Sequence, residues 1–222
     1  MRKRIKLEFG CLPMNKTPDN LEIEVKFFVP DATGMHRRLV SLGTTERPEV
    51  FETNIRYEDS GHTLKSNGQL LRLRQDGSCR LTYKCRPPRD DPEYKVFQEL
   101  EVQVSDFDTM DAILQVLGFH PVQIYEKRRR SFTWRDVEFC LDIMPFGTFL
   151  EIEGPKESIK DAARQMGLAW EDRILANYLS IFEALRDRFG LTFNNVTFAD
   201  FEQHPVDLGP LLPSLQAGGS AN

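Results

Sequence analysis

Pairs of like charge, two residues apart, recur along this chain. Acids come as Glu22 and Glu24, Glu99 and Glu101, and Glu151 and Glu153, with Asp142 alone. Bases come as Arg72 and Arg74 and as Lys127 and Arg129, with Lys26 and Lys84 alone. A spacing of two puts both members on one face of a β-strand, because strand side chains alternate. Carboxylates about 7 Å apart on such a face repel unless a cation or water lies between them. Carboxylate oxygens with no His or Cys nearby select Mg²⁺ or Mn²⁺ over zinc. Arginine pairs grip phosphate oxygens bidentately, and lysines add point charge. The two kinds of pair together describe metal-assisted chemistry on a polyanion with several adjacent phosphates. No GxxxxGK[ST] segment occurs, so those phosphates would be held without a P-loop.

The elements that must position these groups are alternating strands. Leu21, Ile23, Val25 and Phe27 back Glu22, Glu24 and Lys26, while Leu71 and Leu73 back the arginine pair. Leu81 and Tyr83 back Thr82 and Lys84, Leu100 and Val102 back Glu99 and Glu101, and Leu150 and Ile152 back Glu151 and Glu153. An ordinary exposed strand face favours Thr, Ser, Gln and mixed Lys and Glu. Here the non-apolar positions are almost all charged and are sorted by sign onto different strands. The inside of a closed barrel accounts for that sorting most economically. Seven acids (Glu22, Glu24, Glu99, Glu101, Asp142, Glu151, Glu153) then face six bases (Lys26, Arg72, Arg74, Lys84, Lys127, Arg129), so the empty lining is near neutral. Ile23, Val25, Leu71, Leu73, Leu100 and Ile152 are expected outside, under helices.

Taken in order, residues 1–20 read as a leader with a possible short strand at Ile5–Phe9. Asp31 or Thr33 can cap a helix ending before Gly43, and Ser105 or Asp106 one ending before Gly118. Asp76-Gly77 marks a hairpin turn. The Pro87–Pro92 stretch reads as a mobile loop. The longest helix is expected over 172–189, with an apolar stripe that includes Ile174, Leu175, Tyr178, Leu179, Phe182 and Leu185. Residues 21–189 form the main domain. From 190 to 222 the composition shifts towards a tail that docks in part through Phe193, Phe198 and Phe201 and is otherwise disordered.

A net charge of −5 argues against a dedicated nucleic-acid binder. The four cysteines form no CxxC pair and no zinc spacing, so free, mostly buried thiols and a cytoplasmic location are expected. No window approaches a membrane span.

As a set, these segments resemble the CYTH-domain proteins of the triphosphate tunnel metalloenzyme superfamily, which includes class IV adenylate cyclases, thiamine triphosphatases and inorganic triphosphatases. The carrying residues are ExExK at Glu22–Lys26, LRLR at Leu71–Arg74, TYK at Thr82–Lys84 and ELE at Glu99–Glu101. They continue with EKRRR at Glu126–Arg130, LD at Leu141–Asp142 and FLEIEG at Phe149–Gly154. The resemblance covers about residues 20–185 and implies an α+β fold, an eight-stranded antiparallel closed barrel with helices outside. It implies that acids among Glu22, Glu24, Glu99, Glu101, Asp142, Glu151 and Glu153 hold one or two Mg²⁺ or Mn²⁺ ions. Lys26, Arg72, Arg74, Lys84, Lys127 and Arg129 would bind a triphosphate-bearing small molecule, with Lys26, Glu24 and Glu153 nearest the chemistry.

One departure bears on substrate. Thiamine triphosphatases carry Tyr-Tyr-Asp on the second strand, where this chain has Ile55-Arg56-Tyr57-Glu58-Asp59, which speaks against thiamine triphosphate. Hydrolysis of a triphosphate is the leading expectation. Cyclisation of ATP to cyclic AMP and a non-catalytic polyphosphate or nucleotide binder are the alternatives, with a monomer or homodimer equally open.

Overall fold

A computed structural model describes residues 21–87 and 90–218. The expected strand at 5–9, part of the Pro87–Pro92 loop and the last residues of the tail lie outside them. Two antiparallel meanders supply most of the barrel. The first is β3 (Val50–Asp59), β4 (Gln69–Gln75), β5 (Cys79–Cys85) and β6 (Lys95–Val104); the second is β7 (Phe119–Trp134), β8 (Val137–Met144) and β9 (Gly147–Glu153). They meet where β3 pairs with β7. On the far side the first strand, β1 (Leu21–Phe28), lies between β6 and β9 and completes an eight-stranded closed wall. A two-residue strand, β2 (Thr45–Glu46), adds outside on β7.

Local chemistry sets the connections. The Asp76-Gly77 turn joins β4 to β5, with Gly77 at φ 91, a conformation a Cβ would strain. Helix α1 (Ala32–Ser41) is capped by Asp31, whose Oδ1 accepts from the Gly34 amide at 2.8 Å. A short helix, α2 (Thr63–Ser66), occupies what reads in sequence as a turn. Helix α3 (Phe107–Val116) is capped by Asp106, which accepts from the Thr109 amide at 2.7 Å. Helices α4 (Lys156–Gln165), α5 (Tyr178–Phe189), α6 (Phe198–Glu202) and α7 (Leu212–Leu215) complete the set.

The outer faces of the strands are the core. Val25, Phe27 and Ile152 are buried with Leu39 of α1 and Ile159 of α4. Leu71, Leu73 and Tyr57 pack with Leu114 of α3, and Phe149 packs with Ile181, Phe182 and Phe201 under α5 and α6. Each fully buried Leu, Ile or Phe contributes about 1.5–3 kcal/mol. Leu100 departs from expectation: it is 38% exposed beside Val102, which is 55% exposed.

The expected helix over 172–189 begins six residues late, at Tyr178. Ile174 is the reason. Its amide donates to the Lys26 carbonyl at 2.7 Å and its carbonyl accepts from the Lys26 amide at 3.4 Å, so its backbone serves β1. Asn177 then caps α5 by accepting from the Ser180 amide at 2.8 Å. Beyond α5 the chain packs back: Phe193 and Phe201 join the second core, and Phe198 lies 6.0 Å from the Phe51 ring. Cys79 and Cys140 are free thiols, whereas Cys85 is disulfide-bonded, so the expectation of free thiols does not extend to it. Among the described residues no helix is long and apolar enough to cross a membrane.

Candidate functional site: the charged barrel interior

Alternate residues of every barrel strand turn inward around a cavity of about 1380 Å³. Its wall includes Glu22, Glu24, Arg72, Arg74, Lys84, Glu99, Glu101, Lys127, Arg129, Glu151 and Glu153. Lys26 and Asp142 sit fully buried against it, 1% and 0% exposed. Strands β1 and β9 bring three acids together. Glu24 faces Glu153 across the strand pair, and with Glu22 their carboxylate oxygens lie within 4.8 Å of one another.

The other four acids singled out in the sequence are not in this cluster. Asp142 accepts from Lys127 at 2.9 Å, from Tyr178 at 3.0 Å and twice from Arg129 at 2.6 Å. Glu151 pairs with Arg129 and, at 3.2 Å, with Lys26. Glu99 pairs with Lys84 at 2.7 Å, and Glu101 with Arg74 at 3.4 Å and Arg80 at 3.6 Å. Glu22 belongs to the acid cluster and also meets Lys84, at 2.6 Å.

Burial gives the two kinds of acid opposite fates. Glu153 is pushed up to about 8 by burial and by Glu24, with Arg129 opposing and Glu22 and Glu151 adding to the rise. Of this cluster Glu153 is the member that keeps its proton at neutral pH. Burial also resists ionisation of Glu52, yet Lys127, Arg129, Arg74 and Arg72 outweigh it and hold the group at about 2. Glu151 is likewise held well below the carboxylate range by Lys26, Arg129 and Lys127 despite its burial. Lys26 is lowered from the usual lysine value by burial and by Lys95, against Glu151 and Glu24.

Several cavity-lining positions escaped the sequence reading. Lys95, directly opposite Glu24 on β6, bonds its carboxylate. Burial opposes that ammonium, but Glu24, Glu151 and Glu22 raise its pKa above the lysine range. It shares the parity of Glu99 and Glu101, a signal that was present. Glu52 lies 3.5 Å from both Arg74 and Lys127 but stands alone on its strand, with no partner acid two residues away. Tyr125 accepts from Arg72 at 3.2 Å, and Arg56 and Arg80 also line the cavity. Arg56, Arg72 and Arg80 each bury an Nε–H with no hydrogen-bond acceptor, while that of Arg74 meets Asp76 at 3.3 Å. Unmet buried donors are costly, so donors gathered on one cavity describe a place for oxyanions.

The fold and lining define a charged antiparallel tunnel, acidic where β1 meets β9 and richer in bases along β4 and β7. The chain belongs to the CYTH-domain family, whose model matches residues 20–172. A protein of Pyrococcus horikoshii, PH1012, is 30% identical, with a TM-score of 0.61, over 71% of this chain and 96% of that one. A proposed adenylate cyclase from Vibrio parahaemolyticus shares the fold at 20% identity and TM-score 0.62, over 74% and 98% of the two chains. A Hippeastrum protein described as a proposed adenylyl cyclase with a dominant triphosphatase activity does so at 19% identity and TM-score 0.53, over 73% and 95%. No curated relative matches.

Proposed function

We propose that this chain is a divalent-cation-dependent phosphohydrolase acting on a triphosphate, inorganic or nucleoside-borne. Four arginines on the wall of one cavity, Arg56, Arg72, Arg74 and Arg80, three of them with a buried Nε–H that no acceptor meets, are the observation that carries the reading. Glu22, Glu24 and Glu153 form an all-oxygen donor set suited to Mg²⁺ or Mn²⁺, and the repulsion that lifts Glu153 is what a divalent cation would relieve. A cation bound there supplies charge neutralisation to phosphate oxygens. Arg72, Arg74, Lys84, Lys127 and Arg129 hold the phosphates. Asp142, Glu151, Glu99 and Glu101, first grouped with the metal ligands, act instead as counterions that aim those bases. Water adds to the terminal phosphorus as the bridging P–O bond breaks, releasing orthophosphate and leaving a diphosphate. Lys26, whose pKa is lowered by burial and by Lys95, contacts phosphate as the ammonium or, as the free amine, takes the water's proton.

Cyclisation of ATP would use the same phosphate site, and relatives of this fold carry both activity names. Hydrolysis is favoured because it needs only the polyphosphate grip, whereas cyclisation also needs a seat for the nucleoside. The test is purified chain with Mg²⁺ or Mn²⁺ against tripolyphosphate, ATP and thiamine triphosphate, scoring phosphate, pyrophosphate and cyclic AMP. Phosphate release that EDTA abolishes is expected, with thiamine triphosphate the poorest substrate. Arg72→Ala and Arg74→Ala should lose roughly ten- to hundred-fold in binding or turnover. Cyclic AMP as the main product transfers the reading to a cyclase, and full turnover in chelator removes the metal assignment.

A further inference from the structure

The segment leading into α5 lies beyond the family-matched residues, yet it holds one member of the site from three sides. Ile174 exchanges backbone hydrogen bonds with Lys26. The Ala176 carbonyl accepts from Lys26 Nζ at 3.1 Å. The ring of Tyr178 lies 4.6 Å from the same nitrogen, and Lys127 Nζ sits 5.6 Å from that ring. The Tyr178 hydroxyl, meanwhile, donates to Asp142 Oδ2 at 3.0 Å.

This arrangement is itself braced. Phe149 meets the Tyr178 ring edge-on at 5.2 Å, and Phe146 lies 6.5 Å away. The Ala217 amide donates to the Arg173 carbonyl at 2.8 Å, and the Gly218 amide to the Glu171 carbonyl at 2.9 Å, so the end of the described chain clasps the stretch before the helix. In sequence Tyr178 reads as one more apolar position of a core helix. A packing residue needs neither two ammonium groups near its ring nor a carboxylate on its hydroxyl. An aromatic face attracts a desolvated cation, and a buried phenol needs an acceptor.

We propose that Tyr178 is a positioning residue of this site. Its ring fixes the Lys26 ammonium between Ala176 and Glu151, and its hydroxyl fixes the Asp142 carboxylate that aims Lys127 and Arg129. The inference rests on Lys26 serving the phosphate chemistry proposed above.

The test compares the full chain with Tyr178→Phe, which keeps the ring, and Tyr178→Met, which keeps bulk without one. Two readouts are taken: turnover of tripolyphosphate with Mn²⁺, and NMR of isotope-labelled lysine methylenes, where the Tyr178 ring current shields the carbon-bound protons next to Lys26 Nζ. Tyr178→Met should lose that shielding and roughly tenfold in kcat, with KM moved less than about threefold. Tyr178→Phe should keep the shielding and show a smaller loss of kcat, about threefold, the part the hydroxyl contributes through Asp142. An unshielded Lys26 in the parent overturns the proposal without any variant. So does parental kcat in Tyr178→Met, or equal loss of kcat in both variants with the lysine signal unmoved, which marks a folding effect. If the parent turns over no triphosphate at all, the functional reading fails, and the lysine signal still decides whether Tyr178 holds Lys26.

Discussion

Glu153 and Glu52 are both glutamates walled into one barrel, and their surroundings drive them in opposite directions. Glu153 shares its corner with Glu22 and Glu24 and is raised to about 8. Glu52 stands among Lys127, Arg129, Arg74 and Arg72 and is held at about 2. The first region keeps unresolved repulsion, which binding a cation would relieve. The second has its charges already matched, so its acid is a counterion and not a ligand. Residue type alone does not separate ligand from counterion; the neighbours across the barrel do.

The largest effect that would sharpen this contrast is in stability without ligand. Removing one partner from a buried charge network costs about 3–5 kcal/mol. Glu52→Gln should therefore lower the midpoint of denaturant unfolding by that order, while Glu153→Gln at pH 8 should raise it. Equal destabilisation by both would erase the distinction between the two regions.

Acidity provides the next test. The folded protein keeps a proton on Glu153 between about pH 4.5 and 8 that the unfolded chain has released, so this group's contribution is present below pH 4.5 and is lost as pH rises through 8. Glu52 runs the other way: its contribution is present above pH 4.5 and lost as pH falls towards 2. Added Mn²⁺ should displace the Glu153 proton, so calorimetry near pH 7 in buffers of different ionisation heat should show about one proton released per ion bound. At a hundredfold excess over Kd the ion should stabilise the parent by about 2.7 kcal/mol and Glu24→Ala far less. Proton-free binding would break the link between the ion and Glu153.

Smallest is the outer wall. Arg130, 39% exposed, pairs with Glu49 at 2.9 Å on the far face of β7 from Lys127 and Arg129. Arg130→Ala should change stability by less than about 1 kcal/mol and leave turnover unaltered, as measured beside Arg129→Ala. A phosphate-binding loss in Arg130→Ala would mean that the barrel interior is not where bases act.

Alternation made the barrel and most of its lining legible, because few architectures besides a closed wall call for a period of two with charges sorted by sign. Lys95 was legible by the same rule but stood four residues ahead of the acid pair that drew attention. Glu52 was hidden because Val50 and Asn54 flank it on the same face, so no acid stands two residues away. Tyr178 left no separate mark, since a tyrosine within an apolar helical stripe reads the same whether its hydroxyl meets a backbone carbonyl or a buried carboxylate. Which acids serve as counterions depends on strand neighbours such as Arg129 beside Asp142, and register across strands is not written along one of them.

The placement of β1 also governs the order in which the barrel can be built. Each meander consists of hairpins whose strands follow one another, and such local contacts form early and at little entropic cost. β1 lies between β6 and β9, so among the described residues the first barrel strand made is the last to find both its strand neighbours. During synthesis at roughly 5–20 residues per second, the 129 residues from Glu24 to Glu153 take roughly 6–26 s to appear. Until β6 emerges β1 waits as an unpaired strand, and until β9 emerges it keeps one open edge, the state most open to pairing with a wrong chain. Glu22, Glu24 and Lys26 hold charge along it throughout, and charge on a bare strand is what discourages such pairing. The residues that later line the cavity would thus first guard the nascent chain.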